Sequence, residues 1–146
     1  MEKRNLGNIG TKVGALGIGA MSFSDFYGPT NTQESHAILK MALDHGIDHI
    51  DTAKVYGMGL SEERIGQFLN TLSKNDRQFF KIATKGGIDR KNFDDKGTVV
   101  FDNSKEFLTE ELDNSLKRLG VDCVELYYVH RREADRPIEE VTETLV

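Results

Sequence analysis

The chain has 146 residues, 38% hydrophobic and 29% charged, enough for one ordinary domain around one core. Its 19 Lys and Arg against 24 Asp and Glu leave a net charge of -5, which excludes sequence-independent nucleic-acid binding through clustered cations. No apolar run approaches the roughly 20 residues of a membrane-spanning helix, and the single cysteine, Cys123, excludes an internal disulfide.

Met1-Glu2-Lys3-Arg4-Asn5 lacks the apolar segment of a secretory signal, so a cytoplasmic location is expected. Leu6–Val13 reads as a short hairpin with glycine-permitted turns. From about residue 13 onward, strand and helix patterns alternate. Strands are expected at Ala15–Gly19, Gly46–Asp51, Phe79–Thr84 and Cys123–Val129. A helix over Thr32–His45, capped by Asn31 or Thr32 and stopped by Gly46, should turn Ile38, Met41 and Ala42 inward and leave His36 exposed. Ser61 should cap the next helix, with Glu62 and Glu63 in its first turn and Ile65, Phe68, Leu69 and Leu72 at helical spacing. Ser104 or Thr109 opens a third, carrying Leu108, Leu112, Leu116 and Leu119 and ending at Gly120. Pro137 at a first helical position opens a fourth.

Between these, Gly86–Asn103 is polar and glycine-containing and is expected as a mobile loop. The basic residues Lys81, Lys85, Arg90, Lys91 and Lys96 are interrupted by Asp89, Asp94 and Asp95, the pattern of a solvated segment rather than a phosphate track. Cys123 precedes an apolar run and is expected to be a buried, inert thiol. His45 and His49 are four apart, but Gly46 breaks the helix between them, so no metal site is expected.

Strands alternating with helices imply a parallel sheet, whose strand ends face one way. Asp51, Lys85 and His130 each close an apolar run, and Tyr56 follows Asp51 in a glycine-bearing loop. A carboxylate, an ammonium, an imidazole and a phenol would then meet on one rim, where parallel α/β barrels place their chemistry. A phenol of ordinary pKa, about 10, donates its proton reluctantly; a neighbouring ammonium, itself held by a carboxylate, favours the phenolate left behind. An imidazole there can donate to a carbonyl oxygen as charge develops on it. Taken singly, each residue has an ordinary reading: a turn aspartate, a solvated lysine, a tyrosine covering a core edge.

The run Gly46-Ile47-Asp48-His49-Ile50-Asp51-Thr52-Ala53-Lys54-Val55-Tyr56-Gly57, then Ser61-Glu62-Glu63-Arg64-Ile65-Gly66, resembles the signature of aldo-keto reductases. So do Ile82-Ala83-Thr84-Lys85, Leu116-Lys117-Arg118-Leu119-Gly120-Val121-Asp122 and Leu126-Tyr127-Tyr128-Val129-His130-Arg131. The resemblance is to short-loop members, among them pyridoxal-reductase-like and auxin-induced-protein-like enzymes. It implies a (β/α)8 barrel, a fold of typically about 250 residues. Residues 1–146 are therefore expected to form the N-terminal half of that α/β barrel, a partial oxidoreductase domain whose last helix is cut.

The resemblance also implies NADPH as cofactor and a small-molecule aldehyde or ketone as substrate. Tyr56 would be the general acid, Asp51 and Lys85 the pair behind it, and His130 the residue orienting the carbonyl. Gly19, Ala20 and Met21 would border the nicotinamide together with Asp51, without a Rossmann fingerprint. Asp25, Phe26 and Tyr27 are candidates for a substrate wall, and Lys54, where acidic or small residues are commoner, adds charge beside Tyr56. Most cofactor contacts of the resembled enzymes belong to later strands. Two further readings therefore stand beside the N-terminal portion of a reductase: a non-catalytic half-barrel that acts as a binding or assembly partner, and a half-barrel active only as a dimer. Exposed sheet edges would favour self-association.

Overall fold

In the computed structural model, which describes residues 1–8, 10–93 and 97–146, the chain opens with an antiparallel pair, β1 (Lys3–Asn5) and β2 (Lys12–Gly14). Asp48, 4% exposed, ties this hairpin to the main sheet. Its carboxylate accepts from Lys3 Nζ at 2.5 Å and from the Gly14 amide at 2.6 Å. Burial alone would push this carboxyl up, but the two hydrogen bonds and the Lys3 charge hold it below the ordinary value of 3.8.

Four parallel strands follow in the spatial order β3 (Gly17–Gly19), β4 (His49–Asp51), β5 (Lys81–Gly86), β8 (Leu126–Val129). Their register sets Gly19 beside Asp51, Asp51 beside Ala83, and Lys85 beside Tyr128. Each strand leads into a helix: α1 (Thr32–His45) after β3, α2 (Leu60–Asn70) after β4, α4 (Lys105–Leu119) after β5 and α5 (Ile138–Leu145) after β8. The expected hairpin and four β-α units are therefore present. Residues from both layers form the core, with Leu39, Ile50, Ile65, Leu69 and Leu119 at most 1% exposed. Burying a side chain of this kind contributes about 1.5–3 kcal/mol.

Asn31 caps α1 with a full capping box: its side chain accepts from the Glu34 amide, and Glu34 reaches back to the Asn31 amide. Gly46 closes that helix at φ 73°, a left-handed conformation that costs a glycine little. The inward face is Ser35, Leu39 and Ala42 rather than the expected Ile38, Met41 and Ala42. Ile38 and Met41 are exposed and lie on the outer flank of α1, near Ile18 and Ile47 at the β3 edge of the sheet. His36, expected in solvent, is half-buried instead. Its Nε2 lies 3.0 Å from the Arg64 carbonyl, and its ring meets Phe68 with centroids 5.5 Å apart.

Ser61 does not cap α2, which begins after Gly59. It is fully buried, donating to the Ala20 carbonyl at 2.8 Å and lying 2.9 Å from the Thr52 hydroxyl. Ser73 caps a short α3 (Lys74–Phe79), so β5 starts at Lys81, two residues later than expected. Likewise β8 starts at Leu126, which leaves Cys123 exposed in the connection before it rather than buried in the strand. Ser104 caps α4, and Pro137 sits at the N-cap of α5, one position earlier than expected.

The largest departure lies between β5 and α4. Part of the expected loop is an antiparallel ribbon, β6 (Ile88–Phe93) and β7 (Val99–Phe101), with Ile88 opposite Phe101 and Asp89 opposite Val100. Asp94, Asp95 and Lys96, expected in a solvated segment, lie outside the described residues.

Candidate active site

Asp51 ends β4, Lys85 lies one residue before the end of β5, and His130 follows β8 directly. Because these strands are parallel neighbours, their carboxyl ends deliver all three side chains to one rim. The His130 amide continues the ladder, donating to the Gly86 carbonyl at 2.8 Å. Tyr56 enters from the β4–α2 connection, on a tight turn over Tyr56–Gly59. That turn bends through left-handed backbone at Gly57 (φ 64°), where a Cβ would stand 2.8 Å from Ser24 Cβ and 2.9 Å from Leu60 Cβ. Glycine is therefore required beside the phenol both for its φ and for its size.

The ammonium of Lys85, 13% exposed, spends its donors on three oxygens. It makes a short ion pair with Asp51 Oδ1, donates to the Thr52 carbonyl at 2.8 Å and reaches the Tyr56 hydroxyl at 3.3 Å. His130 stands edge-on to the Tyr56 ring, with centroids 5.7 Å apart and planes at 86°. Partial burial, the Lys85 charge and the Arg131 charge hold the His130 imidazole below its ordinary 6.5, against a weaker opposing pull from Asp51. At neutral pH the ring is thus uncharged, with one N–H to donate. Nδ1 is buried without a partner among the described residues, so Nε2 is the ring nitrogen available to a ligand.

Tyr56 and His130 open onto a cleft of about 540 Å³. Met21, Ser24 and Phe26 from the segment after β3 line it, and the ribbon contributes Ile88, Arg90, Val99 and Phe101. Of the expected wall, only Phe26 lines this cleft; Asp25 instead accepts from the Thr30 amide at 2.8 Å. Lys54, expected to charge the surroundings of Tyr56, is held elsewhere by Glu111 at 2.6 Å.

The sequence model of the Aldo/keto reductase family matches residues 15–146. The chain belongs to the aldo/keto reductase family. The Schizosaccharomyces pombe aldo-keto reductase yakc, whose name specifies NADP(+), is 36% identical over 138 residues, covering 94% of this chain and 39% of the relative. A probable voltage-gated potassium channel subunit beta from Arabidopsis thaliana is 35% identical over 145 residues, covering 99% and 42%. Among solved structures, the holo form of aldo-keto reductase AKR11C1 from Bacillus halodurans superposes with a TM-score of 0.81 at 33% identity, covering 99% of this chain and 45% of that one. The chain thus spans about two fifths of the length of the curated relatives it matches. Its fold is the N-terminal half of the aldo-keto reductase barrel.

Aldo-keto reductases typically use NAD(P)H. Gly19 and Asp51 are paired across β3 and β4, and a Cβ built on Gly19 meets nothing within 4 Å. Ala20 is fully buried in the core, and Met21 lines the cleft. The open backbone at Gly19, beside Asp51, leaves room for a flat ring, whereas Ala20 belongs to the core and offers it no surface. The four residues supplied by the ribbon were missed as cleft residues. Their one signal in the sequence is Val99-Val100-Phe101, an apolar triplet between Gly97-Thr98 and Asp102.

Proposed function

We propose that this chain supplies the proton-donating half of an aldo-keto reductase site that reduces small-molecule aldehydes or ketones to alcohols with NADPH. The observation that carries the reading is the Lys85 ammonium 3.3 Å from the Tyr56 hydroxyl, with Asp51 on its other side. Tyr56 would donate its proton to the carbonyl oxygen. Lys85 would then face the phenolate that remains, and Asp51 and the Thr52 carbonyl would keep the ammonium in place. His130, uncharged, would donate from Nε2 to the same carbonyl oxygen and fix its direction, a contribution that grows as negative charge develops there. Gly19, Met21 and Asp51 would hold the nicotinamide edge of NADPH, which when bound supplies the hydride.

The test is a fluorescence titration of NADPH into chain 1–146, at protein concentrations high enough for self-association through the β3 and β8 edges, followed by a carbonyl screen. Saturable binding with turnover supports the reading. Binding without turnover would favour a cofactor-binding or assembly role, and absence of both would reject a self-sufficient site in these residues.

A further inference from the structure

The chain carries more carboxylates than cations, yet the cleft in front of Tyr56 reverses that balance. Its lining includes Arg90 from β6 and Arg131 immediately after His130 and, among the described residues, no Asp or Glu. Neither guanidinium has an ion-pair partner among the described residues. The Arg131 contact that fixes the local chain is made by its backbone carbonyl, which accepts from Asn103 Nδ2 at 3.1 Å. The neighbouring Arg136, by contrast, is paired with Glu133 and Glu140. The rest of the wall is largely apolar, with Met21, Phe26, Val55, Ile88 and Phe101. Low-dielectric walls beside unpaired cations strengthen attraction for an anion and raise its local concentration. A guanidinium presents a planar fork of donors that fits carboxylate and phosphate oxygens in pairs.

We propose that the molecule bound by this cleft carries an anionic group, a carboxylate or a phosphate, that docks on Arg131 and Arg90 while its carbonyl or hydroxyl end reaches Tyr56 and His130. The proposal rests on the reading of the cleft as a carbonyl-reduction site. Arg131 adjoins His130 in sequence and acts on its charge state, so it grips close to the reacting end. Arg90, on β6 of the ribbon, lines the same cleft and would engage further oxygens of that group. Both guanidiniums are exposed, so two solvent-screened ionic contacts correspond to roughly tenfold in affinity over a neutral analogue of the same size.

The experiment titrates matched alcohols into isotopically labelled chain 1–146: glycerol 3-phosphate against glycerol, and 4-hydroxybutyrate against 1,4-butanediol. Chemical shifts of Arg90, His130 and Arg131 report binding. The anionic member of at least one pair should bind roughly tenfold tighter than its neutral partner, and the responding pair separates phosphate from carboxylate. Arg131→Met should collapse that ratio and Arg90→Met should reduce it, with thermal unfolding confirming that both variants are folded. Equal affinity for charged and neutral members, or a ratio that survives both substitutions, overturns the proposal. Turnover of the corresponding aldehydes with NADPH separates the two readings. Anion binding at these arginines without any reduction would reject the reductase reading alone, whereas reduction with no preference for the anionic aldehyde would reject this proposal alone.

Discussion

Lys54 donates to Glu111 at 2.6 Å across the boundary between the β4–α2 connection and α4, and the two side chains are only 14% and 7% exposed. The other Glu111 oxygen accepts from the Gly87 amide at 3.0 Å. One carboxylate therefore holds the segment leading to Tyr56 and the chain just after Lys85. Lys54→Met would leave that carboxylate buried with one neutral donor, a change expected to cost about 3 kcal/mol. Urea unfolding should show this loss, and Lys54→Met combined with Glu111→Gln should recover most of it. Additive losses in the double variant would mean that the two side chains are not coupled.

Tyr56→Phe should remove carbonyl reduction by about 10²- to 10⁴-fold, the usual scale for losing a positioned proton donor. NADPH affinity should change little, because the expected cofactor edge lies at the ends of β3 and β4 and just after β3, not on the turn that carries Tyr56. Full turnover in the phenylalanine variant would show that the proton comes from another group. Lys85→Met should lower turnover as well, since it empties the position that Asp51, Thr52 and the phenol share.

His130 makes the stability of the chain depend on mildly acidic pH. Burial, Lys85 and Arg131 hold its folded-state pKa below the ordinary 6.5. Between 6.5 and that lower value the unfolded chain carries more protons than the folded one, so stability falls as pH drops through the window and this contribution then levels off. Above 6.5 the residue contributes no pH dependence. His130→Gln should flatten that part of the profile, compared as urea midpoints at pH 7.5 and 5.5. An unchanged slope would assign the acid sensitivity to other groups.

Much of this arrangement was legible before the structure. Strand ends preceded by apolar runs located Asp51, Lys85 and His130, and Asn31 and Gly46 bounded α1 because capping chemistry is local. What was lost depended on partners distant in sequence. Ser61 has the composition of a cap, but tertiary packing gave its hydroxyl to Ala20 and Thr52 instead. Ile38 and Met41 obey helical spacing as well as Leu39 does, and only the position of the β3 edge decides which of them is covered. The ribbon lacks the strict alternation that announces strands, since Asp89, Arg90, Lys91 and Asn92 follow one another in β6. Its pairing is set instead by contact with Val99, Val100 and Phe101 across the connection.

Gly86, beside Lys85 on β5, is fixed by size rather than by backbone angle. A Cβ there would lie 2.0 Å from the Tyr127 hydroxyl oxygen, 3.0 Å from Cζ of that ring and 3.2 Å from Glu111 Oε2. The ring cannot easily move aside, because its hydroxyl donates to the Leu108 carbonyl at 3.0 Å. Burial first, then the charges of Glu111 and Glu62, pushes this phenol well above its ordinary 10.0, so it remains a neutral donor. Gly86→Ala should therefore cost about 1–3 kcal/mol through overpacking. Tyr127→Phe alone should cost about 1 kcal/mol, by losing one hydrogen bond to the Leu108 carbonyl, which lies within α4. In the Gly86→Ala background the same ring change removes the nearest clashing atom and should cost less, or stabilise. A double-mutant cycle on urea midpoints measures that coupling; strict additivity would show that the strand shifts to admit the methyl group.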